Sequence, residues 1–163
     1  MPNTVDLNGC SVGILVTDGF EQVEMTEPRK ALDQAGAKTT LVSPKGGQVQ
    51  GMSHDQKGDK FKIEATLSSV RPQDFDAILL PGGVANPDRL RMIGEAVQFV
   101  SHFVEEQKPI AAICHGPWML VETSAAKRRT LTSWPSLKTD ILNAGGTWVD
   151  REVVVDDNIV TAG

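Results

Sequence analysis

Cys114 and His115 stand in the run Ala111-Ala112-Ile113-Cys114-His115-Gly116-Pro117, where a short apolar strand gives way to a helix start. A thiol at such a junction feels the partial positive charge and free N–H groups of a helix N-terminus, which favour thiolate over thiol. Thiolate is the form that attacks electrophilic carbon, so the pair predicts nucleophilic chemistry. His115 suits a general base or an orienting group, although neighbours on a turn diverge and need not touch. Glu21 and Glu24 lie just after the first apolar run, and either carboxylate is a candidate to approach the thiol. A charged carboxylate repels a thiolate, whereas a protonated one donates a hydrogen bond to it. Taken by themselves, both also read as solvated acids at a helix start. In Pro81-Gly82-Gly83, two glycines let the backbone turn sharply and leave N–H groups open to a ligand.

Other reactive side chains read as structural. Cys10 opens a strand with no helix start behind it, the setting of an inert, packed thiol. His54, in a polar, glycine-flanked stretch, and His102, within an amphipathic helix, read as surface residues. Cys and His show no metal-ligand spacing, so neither a metal nor a cofactor is expected. Lys127, Arg128 and Arg129 read as a solvated helix end.

The elements that position these groups alternate. Cys10 to Thr17 reads as a buried central strand ending in the turn Asp18-Gly19, Pro28 to Ala35 as a helix stopped by Gly36, and Lys38 to Ser43 as a second strand. The glycine-rich stretch to Lys62 suggests a short excursion or hairpin at the sheet's edge, with no chemistry assigned to it. Ala77 to Leu80 is a strand, Glu95 to Glu106 a helix, Ile110 to Ile113 a strand, and Pro117 to Val121 and Pro135 to Asn143 two further helices. Thr147 to Val160 reads as short strands around a turn at Asp156-Asp157-Asn158. Such alternation implies a largely parallel sheet covered on both faces, with ligands at the carboxyl ends of its strands. The loop after Thr17, the turn after Leu80 and the junction after Ile113 converge there.

The chain of 163 residues has the length of one domain, with no repeat or linker to divide it. It carries a net charge of −5, which gives no broad attraction for nucleic acid. It holds no apolar run long enough to cross a bilayer and no basic-then-apolar start like a signal peptide, and with two cysteines it is expected to be cytoplasmic, with reduced thiols.

The ordered motifs DGFEQVE (Asp18 to Glu24), LLPGG (Leu79 to Gly83), NPDRLR (Asn86 to Arg91), AICHGP (Ala112 to Pro117), NAG (Asn143 to Gly145) and EVVVD (Glu152 to Asp156) span nearly the whole chain. In this pattern the sequence resembles the PfpI family of intracellular proteases and stress proteins, within the glutamine-amidotransferase-like superfamily. The resemblance implies a flavodoxin-like three-layer sandwich over residues 1–163, without the final helix into which relatives usually continue. It implies Cys114 as nucleophile, His115 as its partner and Glu24 hydrogen-bonded to the thiol. Gly83 and the His115 N–H would form the oxyanion site. In the protease-like branch an acid from a neighbouring subunit contacts the histidine; the matching residue here is Asp88, shorter than the Glu often found there, in a dimer or hexamer.

Three activities follow as expectations. The first is attack of Cys114 on an aldehyde or early glycation adduct, of the glyoxalase or deglycase kind, with a small aldehyde or a glycated protein or peptide as substrate. The second is peptide-bond hydrolysis, and the third is non-enzymatic redox sensing or chaperoning through oxidation of Cys114, with Glu24 beside the oxidised sulfur. Glutamine amidotransfer is excluded, because it needs a downstream His-Glu pair and no histidine follows His115.

Overall fold

The computed structural model describes residues 5–163. Its strands are β1 (Ser11–Leu15), β2 (Phe20–Glu21), β3 (Lys38–Ser43), β4 (Gln48–Ser53), β5 (Gln56–Lys62), β6 (Ala65–Thr66), β7 (Ala77–Leu80), β8 (Ile110–Ile113), β9 (Thr130–Leu131), β10 (Thr147–Trp148), β11 (Val153–Asp156) and β12 (Ile159–Ala162). Helices α1 (Gln22–Gln34), α2 (Ala85–Leu90), α3 (Gly94–Glu105), α4 (Trp118–Glu122) and α5 (Lys138–Asn143) run between them.

Seven strands form the main sheet in the order β11-β12-β8-β7-β1-β3-β6, all parallel except β11, which closes the edge as a hairpin with β12. Side chains alternate across a strand, and the core divides accordingly. Ile14, Leu41 and Leu79 point to one face, onto Phe20 and Met25. Leu15, Val42, Ile78 and Leu80 point to the other, onto Phe99, Val100 and Phe103 of α3 and onto Met119, Leu120 and Ile141. Both faces being apolar, the sheet is sandwiched between two layers, the arrangement that the βα alternation and the resemblance predict.

Some elements differ from the sequence reading. Helix α1 begins at Gln22, so Pro28, read as a helix opener, lies inside it. Its missing N–H leaves the Glu24 carbonyl without an intrahelical donor, and burial of Met25 secures the turn before it. The motif NPDRLR forms the short helix α2, and the helix expected from Pro135 opens as a 3-10 turn, Pro135–Leu137, before α5. The hairpin β4–β5 is not an edge of the main sheet; with β2 it forms a second sheet, in the order β2-β4-β5. Its Gln50, Met52, Ser53 and His54 line the cavity beside Cys114, so the hairpin forms a wall of the site, a placement the sequence reading did not make. His102 is half-buried and lies 2.9 Å from Lys108 Nζ through Nε2. Arg129, within the basic trio, is fixed by the Asp156 carbonyl at 2.9 Å and Asn158 Oδ1 at 2.9 Å.

Candidate active site

Cys114 follows the last residue of β8 at the carboxyl edge of the sheet, with φ of 60°. A non-glycine residue in the left-handed region is costly unless its surroundings hold it there. Here the Cys114 N–H donates to the Ala162 carbonyl at 2.8 Å, and its own carbonyl accepts the Trp134 N–H at 2.8 Å. Directly behind it, Gly116 has no room for a side chain, since a Cβ there would lie 2.9 Å from the Ile113 oxygen and nearer still to the Leu80 oxygen.

The glycine turn after β7 is packed as closely. A Cβ on Gly82 would lie 2.5 Å from Glu24 Oε1, 2.7 Å from the Ile113 oxygen and 2.9 Å from the His115 nitrogen. The Gly82 N–H donates to Glu24 Oε1 at 2.8 Å, which brings the third residue of α1 against the thiol. Gly83 has φ of 78° and lines the cavity together with Cys114 and His115. The Gly83 and His115 N–H groups donate to no oxygen among the described residues, and the His115 N–H points to the Cys114 sulfur.

Asn86, within a quoted motif but without an assigned role, ties these loops together. Its buried Oδ1 accepts the Thr17 N–H at 2.7 Å, and its Nδ2 donates to the Pro81 carbonyl at 3.0 Å and the Gly82 carbonyl at 3.3 Å. A lone Asn carries no sequence signal for such a bridge, because its partners come from the loops after β1 and β7.

Electrostatics depart from the sequence reading. Burial pushes the Cys114 thiol up to about 12, and the Glu24 carboxylate adds to the rise. The helix expected to lower it is only five residues long and starts at Trp118, too short and too far along to offset burial. Burial also raises the Glu24 carboxyl above its ordinary value, opposed by the Gly82 N–H and by the hydrogen bond to Cys114. Burial lowers His115, which is therefore neutral at rest near neutral pH. Its Nδ1 lies 3.6 Å from Cys114 Sγ.

The structure thus brings together Cys114, His115, Glu24 and Gly83 around one cavity of about 1000 Å³. Glu21 stands at its wall and accepts the His54 N–H at 3.0 Å. Asp88 stands apart, on the exposed surface of α2, with no hydrogen bond to His115 among the described residues. Cys10 lies half-buried at the opposite edge of the sheet and forms no disulfide. Among the described residues no cluster of His, Cys, Asp and Glu has the arrangement of a metal site, and no helix is long and apolar enough to cross a membrane.

A strained cysteine between a parallel strand and a helix, with a carboxyl group and open backbone N–H groups around it, defines a class of thiol site on an α/β sandwich. The chain belongs to the DJ-1/PfpI family, whose model matches residues 10–163. The YraA protein of Bacillus subtilis, provisionally named a cysteine protease, is 42% identical over 151 residues, covering 93% of this chain and 87% of the relative. A protein of Pyrococcus horikoshii named Deglycase PH1704 is 39% identical over 148 residues, covering 91% of this chain and 86% of its own length. Among solved structures, Drosophila melanogaster DJ-1beta superposes with a TM-score of 0.84 at 28% identity, covering 94% of this chain and 81% of that one.

Proposed function

We propose that the chain is a cysteine-dependent enzyme acting on reactive carbonyls or early glycation adducts, of the glyoxalase or deglycase kind. The observation that carries this reading is the pairing of a half-buried thiol with a half-buried carboxyl group, each raised above its ordinary pKa by desolvation. A thiol held protonated at rest is a poor match for an unreactive amide. An aldehyde is electrophilic enough to be attacked while the thiol proton is leaving.

With a 2-oxoaldehyde, the Cys114 sulfur bonds to the aldehyde carbon as its proton leaves towards His115, and the carbonyl oxygen takes up that proton to give a hemithioacetal. The Gly83 and His115 N–H groups would stabilise the transient oxyanion. Glu24, as the base, takes the C–H proton while the neighbouring carbonyl oxygen gains a proton to give an enediol; return of the proton from Glu24 to the neighbouring carbon, with loss of the proton from the hydroxyl beside sulfur, gives a 2-hydroxy thioester. Water then releases the 2-hydroxy acid and restores the thiol. The deglycase-named relative supports the same substrate class.

Peptide-bond hydrolysis is the second reading, favoured by the name that the YraA relative carries. In either reading Asp88 enters only through a second copy of the chain, by facing the His115 of that copy in a homo-oligomer. Methylglyoxal consumption and lactate formation by the purified protein, with glycated-peptide repair and casein cleavage in parallel, test the proposal. Carbonyl turnover lost in Cys114→Ala is expected. Casein cleavage alone would move the assignment to a peptidase, and no turnover with ready peroxide oxidation of Cys114 would move it to a redox sensor.

A further inference from the structure

His115 is enclosed by its own chain, and no acid lies against it among the described residues; burial by itself accounts for its lowered pKa. Its two ring nitrogens face different groups. Nδ1 lies 3.6 Å from Cys114 Sγ, and Nε2 lies 3.5 Å from Ser136 Oγ. Two indoles hold the ring between them, Trp134 stacked at 6.0 Å and 23°, Trp118 edge-on at 5.2 Å.

Those indoles are themselves held. Trp118 Nε1–H donates to Asp140 Oδ2 at 3.0 Å, and the Arg91 guanidinium lies 5.4 Å from its ring centroid. Arg91 is anchored in turn by Glu122 at 3.2 Å. The Trp134 backbone is tied to the Cys114 carbonyl, and Ser136 is the middle residue of the 3-10 turn that seats buried Leu137. The titratable and charged groups around this assembly are Glu24, Glu21, Asp18, His54 and Arg89 on the cavity side and Arg91, Glu122 and Asp140 behind Trp118.

We propose that Ser136 is the positioning residue for His115: its Oγ accepts Nε2–H and so leaves Nδ1 free to take the Cys114 proton. The inference rests on the reading of Cys114 as the attacking thiol. As the S–C bond forms and the carbonyl π bond opens, the S–H proton passes to Nδ1. The resulting imidazolium keeps Nε2–H on Ser136 and then returns the Nδ1 proton to the new alkoxide, so nothing else is consumed. A hydroxyl suits this task because it selects the tautomer without adding charge, and the imidazole stays neutral at rest.

The test compares Ser136→Ala, Ser136→Thr and Asp88→Asn in the full chain. Three readouts are taken: Cys114 alkylation by iodoacetamide against pH, tryptophan fluorescence against pH, and carbonyl turnover. Two of the three tryptophans lie against the ring, so the fluorescence follows its protonation. Loss of one neutral hydrogen bond is expected to slow alkylation at neutral pH and to lower kcat, with KM nearly unchanged, by about three- to tenfold. The fluorescence midpoint moves to lower pH, since the imidazolium loses an acceptor, and Ser136→Thr restores all three. Alkylation and fluorescence profiles of Ser136→Ala that superimpose on the unmodified protein overturn the proposal. So does a loss of alkylation in Asp88→Asn that Ser136→Ala does not show. Alkylation needs no turnover, so an inactive wild-type protein would sink the carbonyl reading and still leave the role of Ser136 decided.

Discussion

The two cysteines sit at opposite edges of one sheet. Cys10 precedes β1 at the amino edge, half-buried against the core, with its carbonyl accepting the Lys38 N–H at 2.8 Å in an ordinary strand connection. Cys114 follows β8 at the carboxyl edge, in a left-handed backbone, where the loops after β1, β7 and β8 meet. The strands differ little in composition, and what separates the thiols is the end of the strand on which each lies. At the carboxyl edge the crossing loops bring a carboxylate, an imidazole and open N–H groups to the sulfur; at the amino edge they bring only packing.

The widest split is expected in chemistry. Cys114→Ala should reduce carbonyl turnover to the uncatalysed rate, whereas Cys10→Ala should stay within about twofold of the unmodified protein, as a packed thiol outside the site would. Steady-state assays of both variants check the contrast, and an equal loss in the two would break it.

Backbone crowding should divide the molecule in the same way. Gly116→Ala forces a Cβ against the Ile113 and Leu80 carbonyls, and should cost about 1–3 kcal/mol of stability in urea unfolding. Gly94→Ala, at the start of α3 where nothing lies within 4 Å, should instead add about 0.4–1 kcal/mol by stiffening the unfolded chain.

Glu24→Gln sharpens the electrostatic side of the comparison. It removes the charge that helps burial hold the thiol up, so Cys114 alkylation at neutral pH should become faster while turnover falls for want of the carboxyl group. Cys10 alkylation, followed by mass spectrometry in the same samples, should not change. Both activities falling together would mean that Glu24 only supports the fold of the Gly82 turn.

The two thiols should also separate in the pH dependence of stability. A thiol raised from 9.0 to about 12 in the folded state keeps its proton where the unfolded chain loses it. Between those pH values the unfolded state binds fewer protons, so stability falls as pH rises through the window. The lowered His115 acts at the other end: below about 6.5 the unfolded imidazole takes up a proton that the folded one resists, and stability falls as pH falls. Cys114→Ala should flatten the alkaline slope, and Cys10→Ala should leave it in place.

Local pattern along the chain determined much of this protein. Apolar runs of strand length, amphipathic stretches between them and a cysteine at a strand-to-helix junction were all legible, because each is written within a few neighbouring residues. So were the hairpin over Gln48–Lys62 and the strand pair around Asp156-Asp157-Asn158. The family motifs already marked Glu24 as the thiol's carboxyl partner, whereas composition and spacing left it equivalent to Glu21.

Only tertiary structure decided how those pieces act on one another. Glu24 meets the Gly82 N–H across 58 residues of sequence, and Asn86 meets Thr17 across 69. The start of α1 at Gln22, the hairpin wall of the cavity, the raised thiol and the seat of His115 against Ser136 likewise depend on packing between distant segments. Desolvation and a neighbouring charge outweighed the local helix-terminus effect at Cys114, because burial is a property of the folded surroundings and not of the residues beside it in the chain.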